Sequence, residues 1–328
     1  MENLLAEAHS KGLRVLLDLV VNHTSDQHAW FQESKSSKTS SKRDWYIWRP
    51  AKYAADGERK PPNNWRSNFG GSAWRWDEHT QEYYLHLFCP EQPDLNWENE
   101  RTRKAIYESA MIFWLEKGVD GFRVDTVNMY SKPTGLPDAP ITEPEREDQA
   151  AGLTYCNGPH MNHYLEEMNA ILSRYNAMSV GECPNTPDRY GLAATISRHV
   201  TNHHYRSTVV NYVSAAQRRL NMVFQFDVVD VGQGKQTKYN TTPFNYTLQD
   251  LKDAIARTQS LVDGTDAWTT SFGENHDQAR SISRFGDDSP KWRERSGKML
   301  ALLFGCLSGT LFIYQGQEIG MINMPKEW

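Results

Sequence analysis

The sequence predicts an α/β fold in which buried parallel strands alternate with helices, and three observations support this prediction. Short apolar runs of strand length recur at 13–21, 118–125, 178–182, 222–227, 268–274 and 310–314. Segments with apolar residues at helical spacing lie between these runs, and polar or ionisable side chains follow the runs where they end. Six strands arranged in this way favour a barrel whose strand ends share one site.

The chain opens in a helix that ends near Gly12, a residue type that suits the left-handed position after a helix. The apolar run 13–21 is interrupted only by Asp18 and predicts a strand buried on both faces, which ends at His23. From 24 to 98 the composition changes to Ser, Lys, Trp, Pro, Asn and Gly. We interpret this stretch as an excursion with a small fold of its own.

Four further helices are predicted between the remaining strands. Asn99 is suited to cap the first of them, and the second begins at Pro159. Thr247 and Asp250 have the spacing of a capping box at the start of the third, and the fourth begins at Ser289. Helices and strands therefore alternate along the whole chain outside the excursion.

The charge balance and the hydropathy argue against several classes of partner. The chain has 36 basic and 41 acidic residues and a formal net charge of -5, without long runs of one sign, so neither nucleic acid nor an anionic membrane is an expected partner. No apolar run approaches membrane-spanning length, and the N-terminus lacks the pattern of a secretory signal. We therefore expect a soluble protein located in the cytoplasm.

The four cysteines are scattered without paired spacing, so the sequence implies neither a zinc site nor a disulfide framework. We interpret all four as buried thiols. They are Cys89, Cys156, Cys183 and Cys306.

The stretch 118–125, Gly-Val-Asp-Gly-Phe-Arg-Val-Asp, is the element around which the chemistry is organised. In a strand Phe122 and Val124 share one face, whereas Arg123 and Asp125 share the other. A neighbouring arginine keeps a carboxylate ionised, as a carboxylate nucleophile requires at neutral pH. Taken alone, Asp125 could equally be a strand-end aspartate that caps the next turn.

Five motifs together resemble the α-amylase superfamily of retaining glycoside hydrolases, and within it the fungal-like α-glucosidase branch of maltases and oligo-1,6-glucosidases. They are Asp18-Leu-Val-Val-Asn22-His23, Gln92-Pro-Asp-Leu-Asn96, Gly121-Phe-Arg-Val-Asp125, Val180-Gly-Glu182 and Glu274-Asn-His-Asp277, in the order of the family. The resemblance implies an incomplete (β/α)8 TIM barrel of about strands 3 to 8. Residues 1–23 and 99–328 would form the barrel, and 24–98 the inserted subdomain B.

The resemblance also implies roles for individual residues. Asp125 is expected as the nucleophile, Glu182 as the general acid/base and Asp277 as the carboxylate that stabilises the transition state. Arg123, His23 and His276 would hold the first glucose ring, while Phe69 and Phe88 either wall the pocket or belong to the core of the subdomain. Thr126, next to the nucleophile, resembles the residue of α-1,4-preferring relatives.

These roles agree with the chemistry of glycoside hydrolysis. Cleavage of an acetal through an oxocarbenium-like state needs one carboxyl group protonated and a second one ionised. Glu182 follows the apolar residues 178–180 and is expected near two carboxylates, which favours its protonated form. Retention of configuration predicts that the carboxyl groups of Asp125 and Glu182 lie about 5–5.5 Å apart.

The implied function is a monomeric, exo-acting α-glucosidase of maltose catabolism that acts on small oligosaccharides and requires no metal or cofactor. Three alternatives stay open: an α-1,6-preferring isomaltase, a transglycosylating isomerase, and an inactive truncated or accessory relative. Accessory relatives typically lose part of the carboxylate trio and gain a membrane span, whereas this chain keeps the trio and has no span.

Two departures from the family pattern are apparent. The first two family strands and everything after the eighth are not in the sequence, so both ends look truncated and we expect the chain alone to be unstable or inactive. The segment at about 190–209 matches nothing in the family and contains His199, His203 and His204. We interpret it as an insertion or a gene-model artefact rather than as a metal site.

Overall fold

A computed structural model describes residues 1–186, 206–233 and 245–325 of the chain. The chain divides into two compact units, Met1–Thr186 and Pro187–Trp328, which are considered separately below. Within the described ranges no helix is both long enough and apolar enough to cross a membrane.

The first unit contains six α-helices and eight strands in its described residues. The helices are α1 (Glu2–Ser10), α2 (Ala29–Lys35), α3 (Glu100–Ile106), α4 (Phe113–Glu116), α5 (Gly152–Tyr155) and α6 (Met161–Arg174). The strands are β1 (Leu16–Leu19), β2 (Trp48–Arg49), β3 (Lys52–Tyr53), β4 (Arg59–Lys60), β5 (Trp74–Asp77), β6 (Glu82–Leu85), β7 (Gly121–Val124) and β8 (Met178–Glu182). A π-helical segment, Tyr107–Ile112, joins α3 to α4.

Strands β1, β7 and β8 pair in parallel in the order β1-β7-β8. Arg123 of β7 lies opposite Asp18 of β1 and Val180 of β8. The backbones of β7 and β8 approach closely at Gly121, whose φ is +155° and whose added Cβ would lie 2.1 Å from the carbonyl oxygen of Met178. Only glycine fits this position, so the motif around β7 begins with a residue required by strand packing.

Several local predictions for the first unit are confirmed. Phe122 and Val124 are buried, as the predicted alternation of β7 requires. The side chain of Asn99 accepts a hydrogen bond from the N–H of Arg101 and caps α3. Gly12 follows α1 with a φ of +73°. Local sequence signals therefore locate these helix and strand ends correctly.

The excursion forms its own antiparallel structure. Strands β2, β6 and β5 make one sheet in that order, and β3 pairs with β4. Its core contains the buried side chains Trp65, Trp74 and Leu85, and Phe88 packs against this core while partly exposed. The excursion returns beside the end of β1, where His23 forms a bridge with Asp94.

The second unit contains shorter strands in its described residues. Its elements are α7 (Arg206–Val213), β9 (Met222–Phe224), α8 (Leu248–Ser260), β10 (Thr270–Ser271), α9 (Ser281–Phe285), α10 (Arg293–Gly305) and β11 (Thr310–Leu311). Strands β10 and β11 pair in parallel. The hydroxyl of Thr270 donates a hydrogen bond of 3.0 Å to the carbonyl of Val223 and so links β10 to β9. The predicted capping box of Thr247 and Asp250 is confirmed at the start of α8.

Some predictions were wrong in both units. The strand expected at 13–21 extends only over Leu16–Leu19, and it is not buried on both faces, because Leu19 is its one buried residue. The run 268–274 forms a strand only at Thr270–Ser271, and the helix expected from Ser289 begins at Arg293. The N–H groups of Trp292 and Arg293 both bond to the carbonyl of Ser289, so the preceding residues form a turn. The predicted bounds followed the apolar residues, whereas the observed strand and helix bounds follow the backbone hydrogen bonds.

Two further predictions have a mixed outcome. Cys156 and Cys183 are buried as expected, but Cys89 is only partly buried and Cys306 is exposed, so the interpretation of these two as buried thiols was wrong. Most of the segment 190–209, including its three histidines, lies outside the described residues, and the described part, 206–209, belongs to α7.

Candidate active site

Arg123 is the centre of an ionic cluster at the carboxyl ends of β1, β7 and β8. Its Nη1 donates to Asp18 Oδ1 at 3.0 Å and to Asp125 Oδ1, and its Nη2 lies 2.9 Å from Glu182 Oε2. We call Arg123, Asp18, Asp125 and Glu182 the Arg123 cluster. Because parallel strands point their carboxyl ends to one edge, residues distant in sequence meet on one guanidinium.

Burial and charge act in opposite directions on this guanidinium. Burial lowers the pKa of Arg123, but the negative charges of Glu182, Asp125 and Asp18 outweigh burial and raise the pKa above its ordinary value. Arg123 is therefore a permanent cation. The sequence argument associated it with Asp125 alone, whereas the structure shows that Glu182 shares it.

Thr126 contacts both carboxyl groups that the sequence analysis singled out. Its φ of 37° and ψ of 42° are left-handed, which is uncommon for a β-branched residue. This conformation directs its N–H to Glu182 Oε2 at 3.0 Å, while its hydroxyl donates to Asp125 Oδ2 at 3.2 Å. Thr126 was expected to bind substrate. It is buried, and its N–H and its hydroxyl both contact carboxylates.

His23 follows β1 and belongs to a row of rings with Phe88 and Phe69. The ring centroids of His23 and Phe88 are 5.2 Å apart, and those of Phe88 and Phe69 are 6.0 Å apart. Phe69 is 54% exposed, whereas His23 is buried. Burial lowers the pKa of His23, and the positive charge of Lys132 lowers it too, against the raising effect of Asp94 and Asp125. His23 is therefore neutral at pH 7.

Lys132 is a residue of this region that sequence reasoning missed. Its Nζ lies 2.8 Å from Asp94 Oδ2 and donates to Asn22 Oδ1 at 3.1 Å, and both charged side chains are almost completely buried. Asn22 also donates to Asp94 at 3.0 Å. The network links the end of β1, the excursion and the segment after β7. The position of Lys132 soon after a buried strand, seven residues beyond Asp125, was the available signal.

The second unit contains the expected residues His276 and Asp277, which follow β10. Their side chains are 57% and 41% exposed, and His276 Nε2 lies 3.5 Å from Asp277 Oδ2. Glu274 of the same motif is buried instead: it accepts from Arg280 Nη1 at 2.8 Å and from the N–H of Ser281 at 2.5 Å. Within this motif Glu274 has a structural role, and Asp277 is an exposed carboxylate.

Comparison with known proteins identifies the family of the chain. All 328 residues match the catalytic domain of alpha amylase. The chain belongs to the alpha-amylase family. The resemblance that the five motifs indicated is thereby confirmed.

Fungal glucosidases are among the relatives of this chain. An alpha-glucosidase of Candida albicans is 51% identical over 328 residues, which are 100% of this chain and 54% of that protein. An oligo-1,6-glucosidase of Saccharomyces cerevisiae is 50% identical over 329 residues, covering 98% of this chain and 53% of that protein. The chain thus spans about half the length of the curated relatives it matches.

Two solved structures share the fold of this chain. The trehalose-6-phosphate hydrolase of Bacillus licheniformis matches with a TM-score of 0.82 and 39% identity, over 98% of this chain and 52% of that one. The isomaltulose synthase of Erwinia rhapontici NX5 matches with a TM-score of 0.85 and 36% identity, over 99% of this chain and 53% of that one.

Proposed function

We propose that the protein is a retaining, exo-acting α-glucosidase that hydrolyses terminal α-1,4-linked glucose from maltose and short oligosaccharides. The Arg123 cluster carries this proposal, because Asp125 and Glu182 reach one guanidinium from neighbouring strand ends. Two carboxyl groups in one place are what glycoside hydrolysis requires. The alpha-glucosidase names of the relatives support the same activity.

In the proposed mechanism Glu182 protonates the leaving oxygen and Asp125 attacks the anomeric carbon, which yields a covalent glycosyl-enzyme. Glu182 then removes a proton from water, which releases glucose with its configuration retained. Oε2 of Glu182 lies 2.9 Å from Arg123 Nη2 and accepts a hydrogen bond from the N–H of Thr126, so the proposal assigns the transferred proton to Oε1. Asp277 is proposed as the carboxylate that stabilises the sugar cation.

The sugar-binding part of the proposal rests on one arginine, two histidines and two phenylalanine rings. Arg123, His23 and His276 would hold the first glucose ring, with Phe88 and Phe69 as the apolar wall. The ring row from His23 to the exposed Phe69 supports a path from buried site to solvent. A short oligosaccharide is therefore the proposed partner.

We also propose the finer architecture that the sequence predicted. The chain would hold about strands 3 to 8 of a (β/α)8 barrel, with 1–23 and 99–328 as barrel and 24–98 as subdomain B. The parallel ladders of β1, β7 and β8 and the antiparallel sheet of the excursion support this division. The monomeric state and the cytoplasmic location stay predictions.

An α-1,6 preference is the second candidate. Oligo-1,6-glucosidases of Saccharomyces cerevisiae are 49–50% identical to this chain, close to the 51% of the Candida albicans alpha-glucosidase. The α-1,4 preference rests on Thr126, whose hydroxyl is occupied by Asp125. The choice between an α-1,4 and an α-1,6 preference therefore requires analysis of the reaction products.

The test uses a chimera in which residues 1–328 replace the matching stretch of the Candida albicans relative, alongside the 328-residue chain itself. Products from maltose, isomaltose, sucrose and starch are identified, and the first anomer released is read by NMR. We expect α-glucose from maltose as the preferred reaction of the chimera. Faster release from isomaltose would favour the second candidate, and a β-anomer would exclude retention.

Asp125→Asn is expected to lower kcat of the chimera by about 10⁴-fold or more, because the amide cannot form the covalent intermediate. Asp120→Asn is the matched control, since Asp120 lies at the amino end of β7 and bonds to His9 and to the N–H of Val15. A turnover in Asp125→Asn equal to that of the control would refute the mechanism.

A further inference from the structure

The amide of Gln92 has a defined orientation. Its Oε1 accepts a hydrogen bond of 3.1 Å from the N–H of Cys89. Because only the oxygen of an amide accepts and only its nitrogen donates, this contact identifies which end of the side chain is which. The amide nitrogen of Gln92 is therefore the atom that lies 3.0 Å from Nε2 of His23.

This contact determines the tautomer of His23. An amide NH₂ group can only donate, so Nε2 of His23 must accept. A neutral imidazole with one accepting nitrogen carries its proton on the other, which here is Nδ1. Nδ1 is buried and has no hydrogen-bond partner within residues 1–186, 206–233 and 245–325. His23 thus has a donor that the described protein does not use.

Charged groups around His23 act in opposite directions on its protonation. Asp94 and Asp125 both favour the imidazolium, while Lys132 disfavours it. An imidazolium would also direct an N–H of Nε2 at the N–H of Gln92, which replaces an attraction by a repulsion. Gln92 and Lys132 therefore oppose the two carboxylates.

We propose that Gln92 is a positioning residue that holds His23, which is expected to bind the sugar, as the neutral Nδ1–H tautomer. The role of His23 in sugar binding rests on the function proposed above, but the assignment of the tautomer does not.

The tautomer can be read directly from the imidazole nitrogens. The chimera described above is labelled with ¹⁵N-histidine and studied by long-range ¹H–¹⁵N correlation, and His23→Asn identifies the signals of His23. His86 is an internal reference, because its Nδ1 lies 3.0 Å from the carbonyl oxygen of Phe88, which makes it an Nδ1–H donor as well. We expect the Nδ1–H pattern for both residues at pH 7. An Nε2–H pattern for His23 would overturn the proposal.

Gln92→Glu tests whether Gln92 is the cause. The carboxylate has the same length and can still accept from Cys89, but it presents an acceptor to Nε2 of His23. We expect His23 to change to the Nε2–H tautomer or to the imidazolium, while the pattern of His86 is unchanged. A His23 pattern that is the same in the variant and the wild type would refute the role of Gln92.

The wild-type spectrum decides the tautomer even if Gln92→Glu does not fold. Neither spectrum requires turnover, so the outcome is separate from that of the proposed function. A chain with the Nδ1–H tautomer but without glycosidase activity in the chimera would refute the α-glucosidase proposal alone. An active chimera whose His23 is Nε2–H would refute only the positioning role.

Discussion

The two units use their strand-end carboxylates differently. In the first unit Asp125 and Glu182 are both tied to Arg123 and to Thr126, so the proposed catalytic groups are also part of the local structure. In the second unit Glu274 makes the buried contacts, and Asp277, three residues later, is an exposed side chain. We conclude that one carboxylate of a motif can serve both the proposed catalysis and the local structure, or that two residues of a motif can divide these roles.

The first prediction tests this contrast through Lys132. Lys132→Met removes the ammonium group that compensates the completely buried carboxylate of Asp94. Leaving one buried charge unpaired typically costs about 3–5 kcal/mol. We expect the free energy of opening of the first unit, measured by hydrogen exchange of the β7 amides, to fall by that amount.

Two further variants make the comparison specific. Lys132→Met combined with Asp94→Asn should recover most of the loss, because no uncompensated charge is left. Asp277→Asn in the second unit should change the opening of β10 by no more than about 0.5 kcal/mol, as is usual for exposed side chains. If Lys132→Met lowered the free energy of opening by no more than Asp277→Asn does, the stability of the first unit would not depend on its buried charges.

The sequence predicted local elements better than it predicted contacts. The caps at Asn99 and Thr247 and the face alternation of β7 follow from propensity and periodicity over a few residues, and the structure confirms them. The ion pair of Lys132 and Asp94 joins positions 38 residues apart through the return of the excursion, and no local pattern encodes that path.

The candidate site shows the same limit. The five motifs located Asp125, Arg123 and Glu182, which the structure brings together at the ends of two adjacent strands, β7 and β8. They did not reveal that Glu182 shares Arg123, since strand order and register determine this contact and the sequence alone fixes neither. Their roles in catalysis stay predictions.

The second prediction compares two glycines. Gly121→Ala would place a Cβ 2.1 Å from the backbone oxygen of Met178 at a φ of +155°, whereas Gly273→Ala would place one 2.4 Å from the ring of Phe304. A strand backbone cannot move without breaking its ladder, but a side chain can turn aside. We expect a loss of about 2–4 kcal/mol for Gly121→Ala and about 1–2 kcal/mol for Gly273→Ala, measured by hydrogen exchange in each unit. Equal losses would show that both units pack with the same tolerance.

The last prediction concerns acid stability. Burial lowers the pKa of His23 and of His86 in the first unit. It also lowers the pKa of His28, which is less buried than the other two. As pH falls below the ordinary value of about 6.5, the unfolded histidines take up protons that the folded ones do not. The free energy of unfolding of the first unit therefore decreases with falling pH, by at most about 1.4 kcal/mol per pH unit for each buried histidine.

Hydrogen exchange of the β7 amides between pH 6.5 and 5, corrected for intrinsic rates, measures this slope. The window lies above the range where carboxylates titrate, so the histidines dominate it. His23→Asn should reduce the slope by the share of one histidine, and β10 provides the contrast, because His276, the histidine described in the second unit, is exposed. The buried histidines of the first unit would not control its response to acid if the free energy measured at β7 did not change with pH, or if that measured at β10 changed by the same amount.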